Sequence, residues 1–272
     1  MTIAVLLLLA AVQGLCEFLP VSSSGHLALV QRLLGFSEPP VLFNVSLHVG
    51  TLVAILALYR REAWASCAAG WRWLVRPWKS ESRWRSFAPE GEAETEALGI
   101  VLATVVTGVL ALPFAGTVER ASGNPLALGI LFFCGGVLLG ATRWAPRGAG
   151  ALTLGRAALI GVAQAVAVLP GISRSGLTIA AALFLGIEPA AAARFAFLIA
   201  VPAILGAEVV GALGDLGGAA IPAWQHVVGA VFAAGVGVFA LWTLVALVRR
   251  RALYWFAPYL LALGIAVLVF VR

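Results

Sequence analysis

Two short polar stretches interrupt the long apolar runs of this chain. The second of them, "LPGISRSGLT" at residues 169 to 178, places an arginine between two serines, with a threonine about one helical turn further on. A guanidinium with flanking hydroxyls, beside backbone amides that a proline has freed from a helix, forms a suitable cradle for phosphate. A serine helix cap with an arginine that extends to the membrane surface is the alternative interpretation. The candidate phosphate-binding residues here are Ser173, Arg174, Ser175 and Thr178.

The first stretch, "EFLPVSSSGHL" at residues 17 to 27, adds a carboxylate. Gln13 and Glu17 are four residues apart and therefore lie on one face of a helix. A carboxylate beside an anion cradle repels the anion unless a divalent cation lies between them, and Mg²⁺ typically bridges one or two carboxylates to substrate phosphates. We predict Glu17 as a metal ligand and Gln13 as a second candidate. An ion pair between Glu17 and Arg174 that merely holds the two stretches together is the alternative.

The same stretch supplies candidate groups for nucleophilic attack and proton transfer. Ser23 and His26 lie about one helical turn apart, next to the proline break. They are suited to act as nucleophile and general base, or His26 to protonate the leaving oxygen. Attack by an activated water molecule stays open. Ser22 and Ser24 are further candidates for phosphate binding.

Other polar residues within the apolar runs are interpreted as structural. His48, in "FNVSLHVGT", is predicted to pack against polar groups of neighbouring helices. Arg194 and Glu208 lie in or near one apolar run, and the sequence assigns them no chemistry.

Membrane helices must position these residues, because 62% of the chain is hydrophobic and only 11% is charged. Soluble domains carry about 25% charged residues. Apolar runs such as "LGIVLATVVTGVLALPFAG" reach the roughly 20 residues that cross a bilayer as a helix. The net charge of +6 does not indicate a nucleic-acid partner, because most Lys and Arg lie in three clusters between apolar runs. Such clusters are typical of cytoplasmic loops. Membrane lipids are the expected partners of a chain this apolar.

The chain matches itself at an offset of 150 residues without a gap. Residues 19 to 39 lie over residues 169 to 189 with seven identities in twenty-one positions, which include Pro20 and Pro170. This similarity indicates a duplication. The predicted single membrane domain, residues 1–272, has repeat 1 at about 1–143 and repeat 2 at about 150–272.

Each repeat has a proline break followed by an apolar segment too short to cross a membrane, and then three long apolar runs. Each broken pair either enters and leaves on one face, as a re-entrant hairpin, or crosses as one interrupted helix. Only re-entrant pairs place all three basic clusters on one face. We therefore predict an all-α polytopic membrane protein with two re-entrant helical hairpins, six spanning helices and both termini outside. Because three spans per repeat is an odd number, the repeat is inverted.

Two breaks that enter from opposite faces meet near the middle of the membrane. Irregular backbone at this depth is tolerated only where it is buried in protein or lines a cavity. The helices that follow each proline would point their amide groups and positive dipole ends into one space, which favours an anion. A charged segment at about residues 60–96, rich in tryptophan and arginine, is predicted to be an interfacial loop.

The stretches "QGLCEFLPVSSSGH" and "LPGISRSGLT" resemble the two signature motifs of the undecaprenyl pyrophosphate phosphatase family, also known as the bacitracin-resistance proteins. The resemblance covers nearly the whole chain. It implies hydrolysis of undecaprenyl pyrophosphate, the lipid carrier of cell-wall synthesis, to undecaprenyl phosphate and inorganic phosphate. It also implies dependence on a divalent cation, Mg²⁺ or Ca²⁺.

By motif position, the resemblance assigns the family's functional residues to Glu17, Ser23, His26 and Arg174. It assigns the phosphate-contacting loop to Ser173, Ser175 and Thr178. Gln13 takes a position where many members have glutamate, which leaves one carboxylate fewer for a metal.

The resemblance further implies a bacterial inner-membrane location, an active site that faces the periplasm and a polyprenyl pyrophosphate substrate. It leaves a homodimer open. A polyprenyl-phosphate flippase or transporter, with or without phosphatase activity, is the alternative function, because inverted repeats with broken helices are typical of transporters.

Overall fold

A computed structural model of the chain describes residues 1–36, 41–76, 88–214 and 221–271. These residues form eleven α-helices, joined in places by short 3₁₀ turns. The helices are α1 (Ile3–Phe18), α2 (Ser23–Leu33), α3 (Val41–Val75), α4 (Glu92–Ala111), α5 (Ala115–Ser122), α6 (Pro125–Ala141), α7 (Leu154–Val166), α8 (Arg174–Phe184), α9 (Pro189–Gly214), α10 (Ala223–Arg249) and α11 (Ala257–Phe270).

Six of the described segments are long and apolar enough to cross a membrane. They comprise α3, α4, α6, α9, α10 and α11, with α4, α6 and α11 extended by adjoining 3₁₀ turns. Each corresponds to one of the long apolar runs of the sequence, so the prediction of a multi-pass, all-α membrane protein is confirmed. The helices α1, α7 and α8 are apolar but shorter.

The predicted interfacial segment at about residues 60–96 begins as a helical continuation of α3. Helix α3 continues to Val75, and its only irregular residue is Tyr59, with φ −105° and ψ 22°. The chain beyond this kink is rich in alanine and in long side chains, which favour helix even where charges exclude a membrane interior. Trp64 and Trp71 are exposed on this extension. Trp78 and Trp84, which belong to the same predicted loop, lie outside the described residues.

Both proline breaks are confirmed. Helix α1 ends at Phe18 and α2 begins at Ser23, whereas α7 ends at Val166 and α8 begins at Arg174. Proline lacks the amide hydrogen that would continue a helix and restricts the residue before it. The segments that flank the α7–α8 pair come together, because the Gly150 amide donates to the Gly186 carbonyl at 2.9 Å.

The first helix of each broken pair packs against one long helix. Helix α1 packs against α10, and α7 packs against α4. Helix α3 packs against α9 and α10, while α9 also packs against α4, and α6 packs against α11. Phe18 and Phe197 belong to the larger buried apolar cluster and pack edge to face, with 5.9 Å between their ring centroids. This packing fixes the end of α1 against α9 and the break before α8.

Candidate active site at the two helix breaks

The two breaks lie in direct contact with each other. The Gly171 amide donates to the Ser22 hydroxyl at 3.0 Å, and the Ser175 hydroxyl donates to the Phe18 carbonyl at 2.9 Å. Each bond joins a residue of one break to a residue of the other, about 150 positions away in the chain. The N-termini of α2 and α8 therefore meet at one place, as the sequence predicted.

Local backbone conformation makes this close approach feasible. Gly171 has a φ of +103°, and a Cβ atom there would lie 2.8 Å from Leu131. A Cβ atom on Gly176 would lie 2.9 Å from the Cβ of Pro20. Ser22 also has a left-handed φ, of 73°, which is uncommon outside glycine and costs about 1–3 kcal/mol. Strained backbone of this kind persists where the surrounding structure holds it, and it often occurs at functional sites.

The Glu17 carboxylate lies where the two breaks meet and contacts side chains of several helices. Its Oε2 accepts hydrogen bonds from the Ser23 hydroxyl at 2.6 Å and from the Gln13 amide at 3.0 Å. Its Oε1 lies 3.2 Å from Arg174 Nη2, and His48 Nε2 lies 3.6 Å from Oε2. Only 5% of the Glu17 side chain is exposed, so these groups replace water around the charge. Four helices thus converge on one carboxylate.

His26, in the first turn of α2, has partners other than Glu17. Its Nδ1 lies 2.9 Å from the Ser22 carbonyl, and its Nε2 lies 2.7 Å from the Tyr259 hydroxyl. Because a carbonyl oxygen only accepts, Nδ1 carries the hydrogen, and Nε2 accepts from the tyrosine when the ring is neutral. The Ser23 hydroxyl donates to Glu17 rather than to His26. In this geometry the carboxylate, not the imidazole, is the base in reach of Ser23.

The residues predicted to bind phosphate lie in and next to the first turns of α8. The Ser173 hydroxyl caps the helix by accepting from the Gly176 amide at 3.1 Å, and it lies 3.1 Å from the Ser175 hydroxyl. The Thr178 hydroxyl donates to the Arg174 carbonyl at 2.7 Å. The two serines thus lie at the helix N-terminus beside Arg174, whereas Thr178 is fully buried and bonded to its own helix.

Ser24 marks the open edge of the site. Its side chain is exposed, and its hydroxyl lies 3.5 Å from that of the buried Ser22. The N-terminus of α2 is thus accessible at Ser24 and covered at Ser22.

The space beside the Glu17–Arg174 pair is small. The cavity lined by these two residues, Phe197 and their neighbours has a volume of about 10 Å³, close to the smallest space that holds one water molecule. Arg174 contacts Glu17 through Nη2, and 27% of its side chain is exposed.

A family model described as "Bacitracin resistance protein BacA" matches residues 6–266, which is nearly the whole chain. The chain belongs to this family.

Relatives along the full length agree with this BacA assignment. An undecaprenyl-diphosphatase of Desulfatibacillum aliphaticivorans is 39% identical over 266 residues, and the match covers 96% of each chain. The corresponding protein of Desulfosudis oleivorans is 42% identical over 263 residues and 94% of each chain. That of Treponema denticola is 36% identical over 275 residues, with 99% of this chain and 98% of the relative covered.

Three residues beside the contact between the two breaks were not assigned to the candidate site by the sequence argument. His48 was predicted to pack against polar groups of neighbouring helices, and it contacts Glu17 of α1 through Nε2 and lies 3.0 Å from Glu208 of α9 through Nδ1. Glu208 was assigned no chemistry. Tyr259 was not considered, and no local motif marks it. All three lie on spanning helices far from the breaks in sequence, so only tertiary packing brings them to the site.

Proposed function

We propose that this chain hydrolyses undecaprenyl diphosphate to undecaprenyl phosphate and inorganic phosphate. This activity would return the lipid carrier to cell-wall synthesis and confer resistance to bacitracin. The observation that carries the proposal is the contact of Arg174 with Glu17 where the N-termini of α2 and α8 meet. The family membership and the printed name shared by the full-length relatives support the same activity.

We propose that the two broken pairs are re-entrant hairpins of an inverted repeat. The short lengths of α1, α7 and α8 and the contact between Gly150 and Gly186 support this arrangement. The matched packing of α1 on α10 and of α7 on α4 supports an inverted repeat, because corresponding helices of the two halves then have corresponding neighbours. The basic clusters would lie in the cytoplasm, and the site would open toward the periplasm.

Substrate binding would begin with an exchange at Arg174. The guanidinium would leave Glu17 and bind the terminal phosphate. Arginine can donate two parallel hydrogen bonds to the oxygens of a phosphate group. The hydroxyls of Ser173 and Ser175 and the first amides of α8 would bind the remaining phosphate oxygens. The polyprenyl chain would lie among the apolar surfaces of the surrounding helices. Phosphoryl transfer depends mainly on this kind of positioning and charge stabilisation.

The Ser23 hydroxyl is the nucleophile that the geometry favours. As its oxygen forms a bond to the terminal phosphorus, its proton would pass to Glu17 Oε2, 2.6 Å away. The bond between that phosphorus and the bridging oxygen would break, and undecaprenyl phosphate would leave. Glu17 would release the serine proton to solvent. Water would then attack the phosphoserine, with the water proton passing through Glu17 to the Ser23 oxygen as inorganic phosphate leaves. His26, held by Ser22 and Tyr259, would stabilise the leaving oxygen.

The residues around Glu17 fit a divalent cation that is shared with the substrate. Within the described ranges no group of three or more His, Cys, Asp and Glu side chains is placed to hold a metal alone. However, Glu17 offers a carboxylate, and Gln13 Oε1 is buried without a hydrogen-bond partner. Hard oxygen donors of this kind suit Mg²⁺ or Ca²⁺, with phosphate oxygens and water as further ligands. Such a cation would neutralise charge on the phosphates during transfer.

The Gln13→Glu variant is expected to keep or raise activity and to change the preference between Mg²⁺ and Ca²⁺. A second carboxylate at this position strengthens cation binding. Phosphate release measured across a series of divalent-ion concentrations checks this expectation. Ser46→Ala, which alters a hydroxyl bonded to Leu42 and His226 away from Glu17, is the control. Complete inactivation of Gln13→Glu would reject Gln13 as a position beside the metal.

Phosphate release by the purified protein in detergent tests the proposed function. The assay uses undecaprenyl diphosphate, with and without a chelator of divalent cations. We expect turnover that the chelator reduces and that added Mg²⁺ or Ca²⁺ restores. A flippase needs two compartments and would release no phosphate in detergent micelles, so absence of turnover would favour transport instead.

A further inference from the structure

Glu208 is an ionisable residue within a membrane-spanning helix that the proposed reaction does not use. It lies on α9, and its side chain is 19% exposed. Its carboxylate Oε1 lies 3.0 Å from His48 Nδ1, and His48 is its only ion-pair partner among the residues that the structure describes. A carboxylate at membrane depth is costly, so such residues generally serve a function.

His48 links this carboxylate to the candidate active site. Its Nδ1 faces two acceptors, Glu208 Oε1 at 3.0 Å and the Asn44 carbonyl at 3.1 Å. The hydrogen bond of Nδ1 goes to the Asn44 carbonyl, with the Glu208 carboxylate beside the same nitrogen, and this places the other nitrogen toward Glu17. Nε2 indeed lies 3.6 Å from Glu17 Oε2. The orientation of the imidazole against Glu17 therefore depends on what holds Nδ1.

The contacts around Glu17 explain why this orientation matters. Its Oε2 accepts from Ser23, the proposed nucleophile, and also borders His48. A ring that turns away from this oxygen would leave one side of it uncovered and would let the carboxylate shift from the serine. Small displacements of a reacting group have large effects on rate. Carboxylates that hydrogen-bond a histidine beside a reacting group hold the ring in this way in other enzymes.

We infer that Glu208 is a positioning residue, which acts through His48 to hold Glu17 against the Ser23 hydroxyl. This inference rests on the proposed function and adds to it a role for a residue that touches neither substrate nor reacting atoms. Three spanning or broken helices, α9, α3 and α1, are thereby coupled at the catalytic carboxylate.

A double-mutant cycle in the phosphate-release assay tests the inference. Glu208→Ala is expected to lower kcat about tenfold with little change in KM, as is typical for loss of an outer partner of a catalytic group. His48→Ala is expected to lower kcat at least as much. Because Glu208 acts through His48, the double variant should lose no more activity than His48→Ala alone. Glu208→Gln should recover most of the wild-type kcat, because its amide oxygen can occupy the same position beside His48 Nδ1.

Glu96→Gln is the matched control for general destabilisation. Glu96 pairs with Arg194 at 2.8 Å on the same bundle but has no contact with Glu17. We expect this variant to lower the thermal unfolding temperature and to leave kcat unchanged.

The inference would be overturned if the losses from Glu208→Ala and His48→Ala multiplied in the double variant. It would also be overturned if Glu208→Ala matched the Glu96→Gln control, with lower thermal stability and unchanged kcat. In either case turnover by the wild type and its loss in Arg174→Ala would leave the proposed function intact. No phosphate release from the wild type would reject the proposed function and this inference with it.

Discussion

Replacement of Arg174 by alanine is expected to reduce phosphate release by roughly 1,000-fold or more, the scale on which arginines act in phosphoryl transfer. The guanidinium is the cation at the meeting point of the two breaks, and its present partner is Glu17 at 3.2 Å. Without it, charge on the terminal phosphate would lose its main stabilising group. Arg174→Lys should retain part of the activity, because it keeps the charge but not the paired donor geometry. Steady-state phosphate release checks both variants.

Arg194→Ala is the control for Arg174→Ala. It removes the partner of Glu96, so it also breaks an ion pair within the bundle, but at a distance from Glu17. We expect a lower unfolding temperature with kcat close to that of the wild type. If Arg174→Ala kept substantial turnover, the phosphate would have to bind elsewhere, and the interpretation of Arg174 as a serine-capped surface residue would be preferred.

Replacement of Glu17 by glutamine is expected to reduce kcat by about 100-fold or more, within the range for loss of a general base. Glutamine has the size of glutamate and can still bond Ser23, but its amide cannot take the serine proton. Glu17→Ala should be at least as impaired, because it also removes the acceptor of the hydrogen bonds from Gln13 and Arg174. A rapid-mixing measurement of the first turnover separates this chemical step from product release.

The Glu17 variants also distinguish a catalytic carboxylate from a purely structural tie. If the Glu17–Arg174 contact only held the two breaks together, Glu17→Gln would lower thermal stability and leave kcat of the folded protein near the wild-type value. Circular dichroism and kcat measured on the same preparation decide between the two. The catalytic account requires kcat to fall much further than in the Glu96→Gln control.

Much of the helical framework could be predicted from the sequence, because it depends on local properties. The long apolar runs predicted the six spanning helices, and Pro20 and Pro170 predicted both breaks. The continuation of α3 beyond the apolar run was not predicted. Charged residues after Tyr59 indicated a loop, yet they exclude a segment from the membrane interior without preventing it from remaining helical.

The candidate site could be predicted only where its residues share a motif. The clusters around Ser23 and Arg174 were predicted together because the repeat and the two prolines identify them. His48, Glu208 and Tyr259 could not be placed in this way. Each is a single polar residue on an otherwise apolar helix, and its direction depends on how that helix packs against the others.

The most direct measurement is the protection of a single cysteine by pyrophosphate. Ser24, at the exposed edge of the site, is replaced by cysteine in a variant that lacks Cys16, Cys67 and Cys134, and its rate of reaction with a maleimide is followed in detergent with Mg²⁺ present. If the diphosphate group binds where the two breaks meet, pyrophosphate will slow the reaction, and Arg174→Ala will abolish this protection. Equal rates with and without pyrophosphate, or protection that persists in Arg174→Ala, would contradict the account.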